Sequence, residues 1–250
     1  MEQIVMPNNQ EKSRDIPKRD NVFRMFDRIA KRYDLLNRLL SFRQDVKWRK
    51  KLTQLLPNKE NLSVLDLATG TGDILLSIAD ARNNFAEGVG LDMSGEMLKF
   101  AVSKTDTAKL SDKIRYIRSD AAYLPIEGNS FDAVTISFGI RNVVDVPQSL
   151  LEMYRVLSEN GKVLILEFSL PKNRLVRVGY LFYFRYILPF IGGIISGDSY
   201  AYSYLNKTVE TFPYGEQFCK IMEQAGFSDV QEHRLTFGIA TIYEATILTK

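Results

Sequence analysis

The stretch Val64-Leu65-Asp66-Leu67-Ala68-Thr69-Gly70-Thr71-Gly72-Asp73 decides how the chain is read. Val64, Leu65 and Leu67 predict a short buried strand. Gly70 and Gly72 allow a tight turn and close approach of a ligand to the backbone. The segment from Ile74 to Ala81 predicts a helix whose N-terminal N–H groups face that ligand. Strand, glycine turn and helix together make a nucleotide-cradling unit. With Gly70 and Gly72 as the first pair, a dinucleotide fingerprint would need a third glycine where Leu75 stands. No Gly-Lys-Ser/Thr follows, which excludes a Walker loop.

The turn instead resembles the Asp/Glu-x-Gly-x-Gly-x-Gly turn of class I S-adenosylmethionine (AdoMet) methyltransferases, with Ala68 at the first glycine. An acid at Asp66, just before the turn, suits a cationic ligand better than a pyrophosphate. Gly88 to Asp92 predicts a second strand ending in a carboxylate 20 residues after Gly72, where such a strand returns to the site. Asp92 can accept from both ribose hydroxyls. Ser94 is placed to cap the next helix, with Glu96 in its first turn. A third strand, Ile114 to Arg118, leads to Asp120 and Ala121, which can read adenine through its amine and a ring nitrogen. A fourth strand, Phe131 to Ser137, delivers Ser137 and the run Phe138-Gly139-Ile140-Arg141-Asn142 to the rim where open α/β sheets bind ligands. After a helix from Val146 to Leu157, Gly161 to Glu167 predicts a fifth strand, and 229–234 and 238–248 two more. The expected cofactor set is Asp66, Gly70, Thr71, Gly72, Asp92, Asp120, Ala121 and Ser137.

The chain has 250 residues, of which 45% are hydrophobic and 25% charged, which is ordinary for a globular protein with a large core. A net charge of +3 comes with no nucleic-acid motif. The single Cys219 fits a reducing compartment. The first 20 residues, polar and charged, predict no signal peptide and a flexible tail. The chain from 21 to 250 reads as one domain. His233, the only histidine, lacks an evident Cys or acid partner and reads as structural. No metal cluster is expected.

Two further segments stand out. Phe23, Phe26, Ile29, Ala30, Tyr33, Leu36, Leu39 and Leu40 follow helical spacing inside a helical region from 20 to 56, an amphipathic packing face on which Tyr33 can also line a pocket. The segment from Leu175 to Ile195 is the most apolar, yet Arg177, Arg185 and Pro189 interrupt it, so no transmembrane helix is expected. Tyr180 to Phe190 is rich in aromatics, and reads either as the core helix of an inserted lid, about 172–210, or as the mouth of a site for a lipid-like substrate.

Tyr33-Asp34-Leu35-Leu36-Asn37-Arg38-Leu39-Leu40-Ser41, ending at Trp48, resembles a signature of the quinone-biosynthesis C-methyltransferases. That family usually reads Tyr-Asp-x-Met-Asn-x-x-Leu-Ser, with a His three residues before the Trp. Here Leu36 stands for the Met and Asp45 for the His. The second signature is Arg155-Val156-Leu157 followed by Gly161 to Ser169, with Ser158-Glu159-Asn160 where Lys-Pro-Gly is usual, a changed surface turn. Residues 137–143, 183–189 and 235–240 resemble the family closely as well.

The resemblance, from about residue 20 onward, implies a doubly wound, mostly parallel seven-stranded α/β sheet with N-terminal helices and a helical lid. It implies methyl transfer from AdoMet, released as S-adenosylhomocysteine, to a ring carbon of a polyprenylated quinol. Demethylmenaquinol is favoured over the ubiquinone precursor. Arg141 is the candidate to hold the phenolate or to orient a water that takes its proton, since a guanidinium stays charged. Asn142 would orient the ring or Arg141, and Tyr33 and Tyr183 would contact substrate. A cytoplasmic enzyme, peripheral at the inner face of the membrane, is expected, with a homo-oligomer left open. Two other readings remain: an AdoMet methyltransferase of another lipid-like acceptor, such as a sterol or fatty chain, and a non-catalytic AdoMet-binding accessory protein.

Overall fold

The computed structural model describes residues 21–196 and 199–247. The expected tail, 1–20, lies outside them. Seven strands form one sheet: β1 (Leu62–Leu67), β2 (Phe85–Asp92), β3 (Ile114–Arg118), β4 (Phe131–Ser137), β5 (Leu157–Phe168), β6 (Ser228–Leu235) and β7 (Ala240–Thr246). Their order is β3-β2-β1-β4-β5-β7-β6. The first five are parallel, and β7 enters antiparallel between β5 and β6. This is the expected doubly wound sheet with a final hairpin. The order reverses beside β1, so the carboxyl ends of β1 and β4 open a crevice.

Strand residues alternate between two buried layers, as the pleat requires. Val64 packs with Trp48 and Leu52 of α2 (Gln44–Leu55) and with Ile74, Leu75 and Ile78 of α3 (Asp73–Ala81). Leu65 and Leu67 face the opposite layer, filled by Leu150 and Met153 of α5 (Val146–Val156) and Phe218 and Met222 of α9 (Glu216–Gln224). Ser94 caps α4 (Gly95–Thr107) by accepting from the Met97 N–H at 3.2 Å. The N-terminal helical region is two helices: α1 (Val22–Leu40) ends at a sharp corner where Phe42 and Arg43 take positive φ, and α2 follows.

Two boundaries differ from expectation by three residues or more. The β2 strand begins three residues before Gly88. The β5 strand begins at Leu157, directly after α5, and its pairing with β4 slips before Lys162, so that Glu159 and the positive-φ Asn160 stay exposed as a surface bulge in place of a turn between two elements.

A third apolar cluster covers the carboxyl ends of the strands. It joins Met25 and Leu36 of α1 to Phe184, Leu188, Tyr204 and Val209 of the segment between β5 and α9. That segment is α6 (Arg174–Phe182), a π-helical turn (Tyr183–Ile187), α7 (Leu188–Ser196) and α8 (Ser199–Thr211).

Candidate active site

Two cavities lie over the carboxyl ends of the strands and share Phe26, Tyr33 and Phe138 in their walls. The smaller holds about 140 Å³ and is lined by Gly70, Asp92, Asp120, Ala121 and Ser137 among others. The larger holds about 440 Å³ and is bounded by α1, α2 and the segment from α6 to α8. Its walls are apolar apart from a few polar groups, Arg141 among them, which is the usual character of a small-molecule site.

The smaller cavity gathers five of the expected cofactor residues. Gly70, at φ +57°, donates its N–H to Asp92 Oδ2 at 2.8 Å, and the Ser94 N–H donates to Oδ1 at 2.8 Å. The Asp92 carboxylate is therefore fixed at the end of β2 with lone pairs left for a diol. Its pKa is raised by burial, which the Ser94 and Gly70 bonds partly offset. Asp120 Oδ1 accepts the Ala122 N–H at 2.9 Å, and this short turn presents Asp120 and Ala121 to the cavity. Ser137 Oγ is buried and, among the described residues, has no hydrogen-bond partner. A buried unmatched hydroxyl in a cavity wall is a position for a polar ligand. With two carboxylates at strand ends, this donor and acceptor set fits the adenosine part of AdoMet.

Asp66, Thr71 and Gly72 stand elsewhere. Asp66 lies beneath the turn and accepts from Thr69 Oγ1 and Thr135 Oγ1, each at 2.6 Å. Burial pushes its carboxyl up to about 7 despite those bonds. It braces β1 against β4 and the turn, and it lines neither cavity. Gly72, at φ +79°, starts α3 with Tyr116 packed so close that a Cβ would meet the phenol oxygen at 2.5 Å. Thr71 Oγ1 donates to Asp34 Oδ1 at 2.7 Å.

The start of α3 faces a charge cluster, of which Ser41, Asp45 and Arg49 also line the larger cavity. Arg38 and Arg49 bridge Asp73 at 2.6 and 3.3 Å, Lys104 pairs with Asp73 and Asp34, and Asp45 accepts from Arg38, Arg49 and Ser41. Burial alone would raise the Asp73 carboxyl, but Arg49, Lys104 and Arg38 outweigh it and hold it at about 2. The cluster ties α1 and α2 across the glycine turn, and Asp45 is locked within it. Asp27 of α1 accepts from Ser94 Oγ at 2.6 Å, a second tie.

In the larger cavity Arg141 stands at the end of β4 in a 3₁₀ turn, Ile140–Asn142. Its Nη1 donates to Glu167 Oε1 at 2.7 Å and to the Phe138 carbonyl at 2.6 Å. The guanidinium lies over the Phe168 ring at 5.4 Å. Its Nε is buried and, among the described residues, unpartnered. Asn142 lines the smaller cavity and accepts from Tyr204 Oη at 3.1 Å, so it faces α8. Tyr33 stands between the two cavities, and burial raises its phenol pKa. Tyr183 lines the larger cavity with its hydroxyl donating to the Leu40 carbonyl at 2.9 Å.

Sequence reading assigned no role to Glu167 or Phe138. Glu167 stands one residue before the end of β5, much as Asp92 stands at the end of β2, so the strand-end rule could have found it. Phe138 takes φ +57° and stacks among Trp48 and Phe168, a placement that no spacing signals. His233, expected to lack an acid partner, pairs with Glu244 at 2.7 Å across the hairpin, and neither residue lines either cavity.

The profile of the ubiE/COQ5 methyltransferase family matches residues 13–247. Among curated proteins, the ubiquinone/menaquinone biosynthesis C-methyltransferase UbiE of Geotalea daltonii is 45% identical over 90% of this chain and 96% of its own. The demethylmenaquinone methyltransferase of Thermus thermophilus is 46% identical over 88% of this chain and 98% of its own. Among solved structures, a SAM-dependent methyltransferase from Thermotoga maritima aligns with a TM-score of 0.63 at 18% identity, covering 90% of this chain and 99% of that one. This last likeness concerns the fold alone.

Proposed function

The chain belongs to the ubiE/COQ5 methyltransferase family, and on that premise we propose that it methylates a ring carbon of a polyprenylated quinol, demethylmenaquinol ahead of the ubiquinone precursor. AdoMet is the methyl donor, and residues 21–250 act as one catalytic unit. The observation that carries the reading is the meeting of a small polar cavity with a large apolar one at Phe26, Tyr33 and Phe138. A donor and an acceptor of opposite character can there be brought into line.

Bound AdoMet supplies a sulfonium-activated methyl group to the ring carbon and leaves as S-adenosylhomocysteine. Asp92, fixed by the Gly70 N–H, would hold the ribose, and Asp120 and Ala121 would hold the adenine. Tyr33 and Phe138 exclude water from the junction. Arg141, already balanced by Glu167, offers its remaining N–H groups to the quinol oxygen as that oxygen loses its proton. The ring carbon then forms a C–C bond as the methyl–sulfur bond breaks. Loss of the ring hydrogen as a proton restores aromaticity, and the oxygen regains a proton. One proton is released overall. Asn142, held by Tyr204, fixes the loop that carries Arg141.

The tail is met at the surface. Leu175, Val178, Phe182, Tyr186 and Phe190 recur every three or four residues along α6, the π turn and α7, and all are exposed, Leu175 by 83% and Phe190 by 71%. The helix Arg174–Gly192 is long and apolar enough to cross a membrane, and most of it is not buried within the protein. Its inner face is fixed in the protein by Phe184, Leu188 and the Arg185–Glu210 pair at 2.5 Å, which favours lying on a bilayer over crossing one. Arg174 and Arg177 flank the exposed stripe and suit anionic headgroups. The protein thus works from the cytoplasm at the inner membrane face. Deleting the gene and profiling quinones tests the reading: demethylmenaquinone should accumulate, and an unaltered quinone pool would contradict it.

A further inference from the structure

Among the described residues, four tyrosines line the larger cavity: Tyr33, Tyr180, Tyr183 and Tyr204. Three have their hydroxyls engaged within the protein, Tyr33 with Asn37, Tyr183 with the Leu40 carbonyl and Tyr204 with Asn142. The hydroxyl of Tyr180 is closed off from solvent and, among the described residues, has no hydrogen-bond partner. Its ring is held firmly, stacked on Phe184 with centroids 5.1 Å apart and planes at 26°. Phe184 meets Phe168 at 6.2 Å, and Phe168 carries the Arg141 guanidinium on its face. Tyr180 therefore stands across an aromatic wall from Arg141, and its hydroxyl feels the charges of both Arg141 and Glu167. Burial pushes the phenol pKa up, so the group remains an O–H donor. A rigid, unsatisfied donor beside an apolar cavity disfavours the empty state and favours a ligand that brings an acceptor.

We propose that Tyr180 is the second polar anchor of the acceptor ring: its hydroxyl donates to the ring oxygen opposite the one held by Arg141, so the cavity selects rings that carry two oxygens. This rests on the reading that an oxygenated aromatic ring enters the larger cavity. It makes Tyr180 a binding and specificity residue, with the proton chemistry left to the other side of the ring.

The test compares two soluble rings, naphthohydroquinone and its one-oxygen counterpart naphthol. Each is titrated calorimetrically and without oxygen into the full-length protein saturated with S-adenosylhomocysteine. The parent should bind the two-oxygen ring about tenfold more tightly. Tyr180→Phe keeps the stack on Phe184 and should bind both rings alike, with an unchanged or higher Tm because an unmatched buried hydroxyl is gone. In turnover its KM for demethylmenaquinol should rise more than its kcat falls. A Tyr180→Phe protein that keeps the preference, or a parent that has none, overturns the assignment. A parent that discriminates between the rings but does not methylate demethylmenaquinol would sink the quinol reading and leave Tyr180 as a binding residue.

Discussion

The Nη1 of Arg141 lies 2.7 Å from Oε1 of Glu167, and both side chains are buried, by this pairing and by the Phe138 carbonyl that shares the same Nη1. The pair leaves a guanidinium in the cavity wall that is already compensated and aimed. Lysine keeps the charge but has no planar fork to serve Glu167 and substrate together. Arg141→Lys should therefore keep its affinity for S-adenosylhomocysteine and lose single-turnover methyl transfer by about 100-fold or more. Rapid-quench turnover checks this. A parent-like rate would remove Arg141 from the chemistry. Glu167→Gln should be worse for folding, by about 3–5 kcal/mol, because it strands a buried cation.

Asp92→Ala should weaken AdoMet binding by about 1.5–3 kcal/mol, the usual worth of hydrogen bonds to a charged group. From sequence alone the loss would fall mainly on the ligand. The structure gives the same carboxylate the N–H groups of Gly70 and Ser94, so melting temperature should fall as well. Titration calorimetry and a melting curve separate the two effects. Unchanged affinity in the folded variant would take Asp92 out of the site.

Asp66 makes stability depend on pH. Its folded carboxyl titrates at about 7 against an ordinary 3.8. Between those values the folded protein holds a proton that the unfolded chain lacks, so stability falls as pH rises through this window and levels off above it. Asp73 acts oppositely, contributing stability that is lost only as pH falls toward 2. Asp66→Asn should flatten the decline in Tm between pH 5 and pH 8. An equally steep decline in the variant would assign it to another group.

The aromatic segment divides into two faces. Sequence reading treats Tyr180 to Phe190 as one aromatic stretch, but Phe184 is 2% exposed and walls the cavity, while Phe182 is 58% exposed. Phe182→Ser with Phe190→Ser should lower binding to anionic vesicles and raise KM for a long-tailed quinol, with activity on a short-tailed analogue little changed. Phe184→Ser should instead cost about 3–5 kcal/mol of stability. Equal losses on both substrates with intact vesicle binding would refute the membrane role.

What the sequence made legible follows from local rules. The edges of β3 and β4 and the capped start of α4 came from alternation, strand-end acids and a serine cap. The direction of Asp66 was hidden, because an acid before a glycine turn reads as a ligand contact until the neighbouring strand supplies Thr135 beside it. The clamp of α1 over the turn was hidden too. Its bonds, Asp34 to Thr71 and Asp27 to Ser94, join residues far apart in sequence, and an amphipathic helix reveals only that it packs somewhere. In the stretch from Tyr180 to Phe190 aromatic and aliphatic residues recur on nearly every side, so helical periodicity could not separate Tyr180 and Phe184 from Phe182 and Tyr186, and a π turn shifts the register between them.

The most direct measurement follows the methyl group. Purified protein is given AdoMet with a deuterated methyl group and demethylmenaquinol under reducing conditions, and products are resolved by mass spectrometry and NMR. The account predicts a trideuteromethyl group on the quinone ring carbon, formed one-for-one with S-adenosylhomocysteine and abolished in Arg141→Lys. Label on oxygen, or no label in the quinone while S-adenosylhomocysteine accumulates, would contradict it.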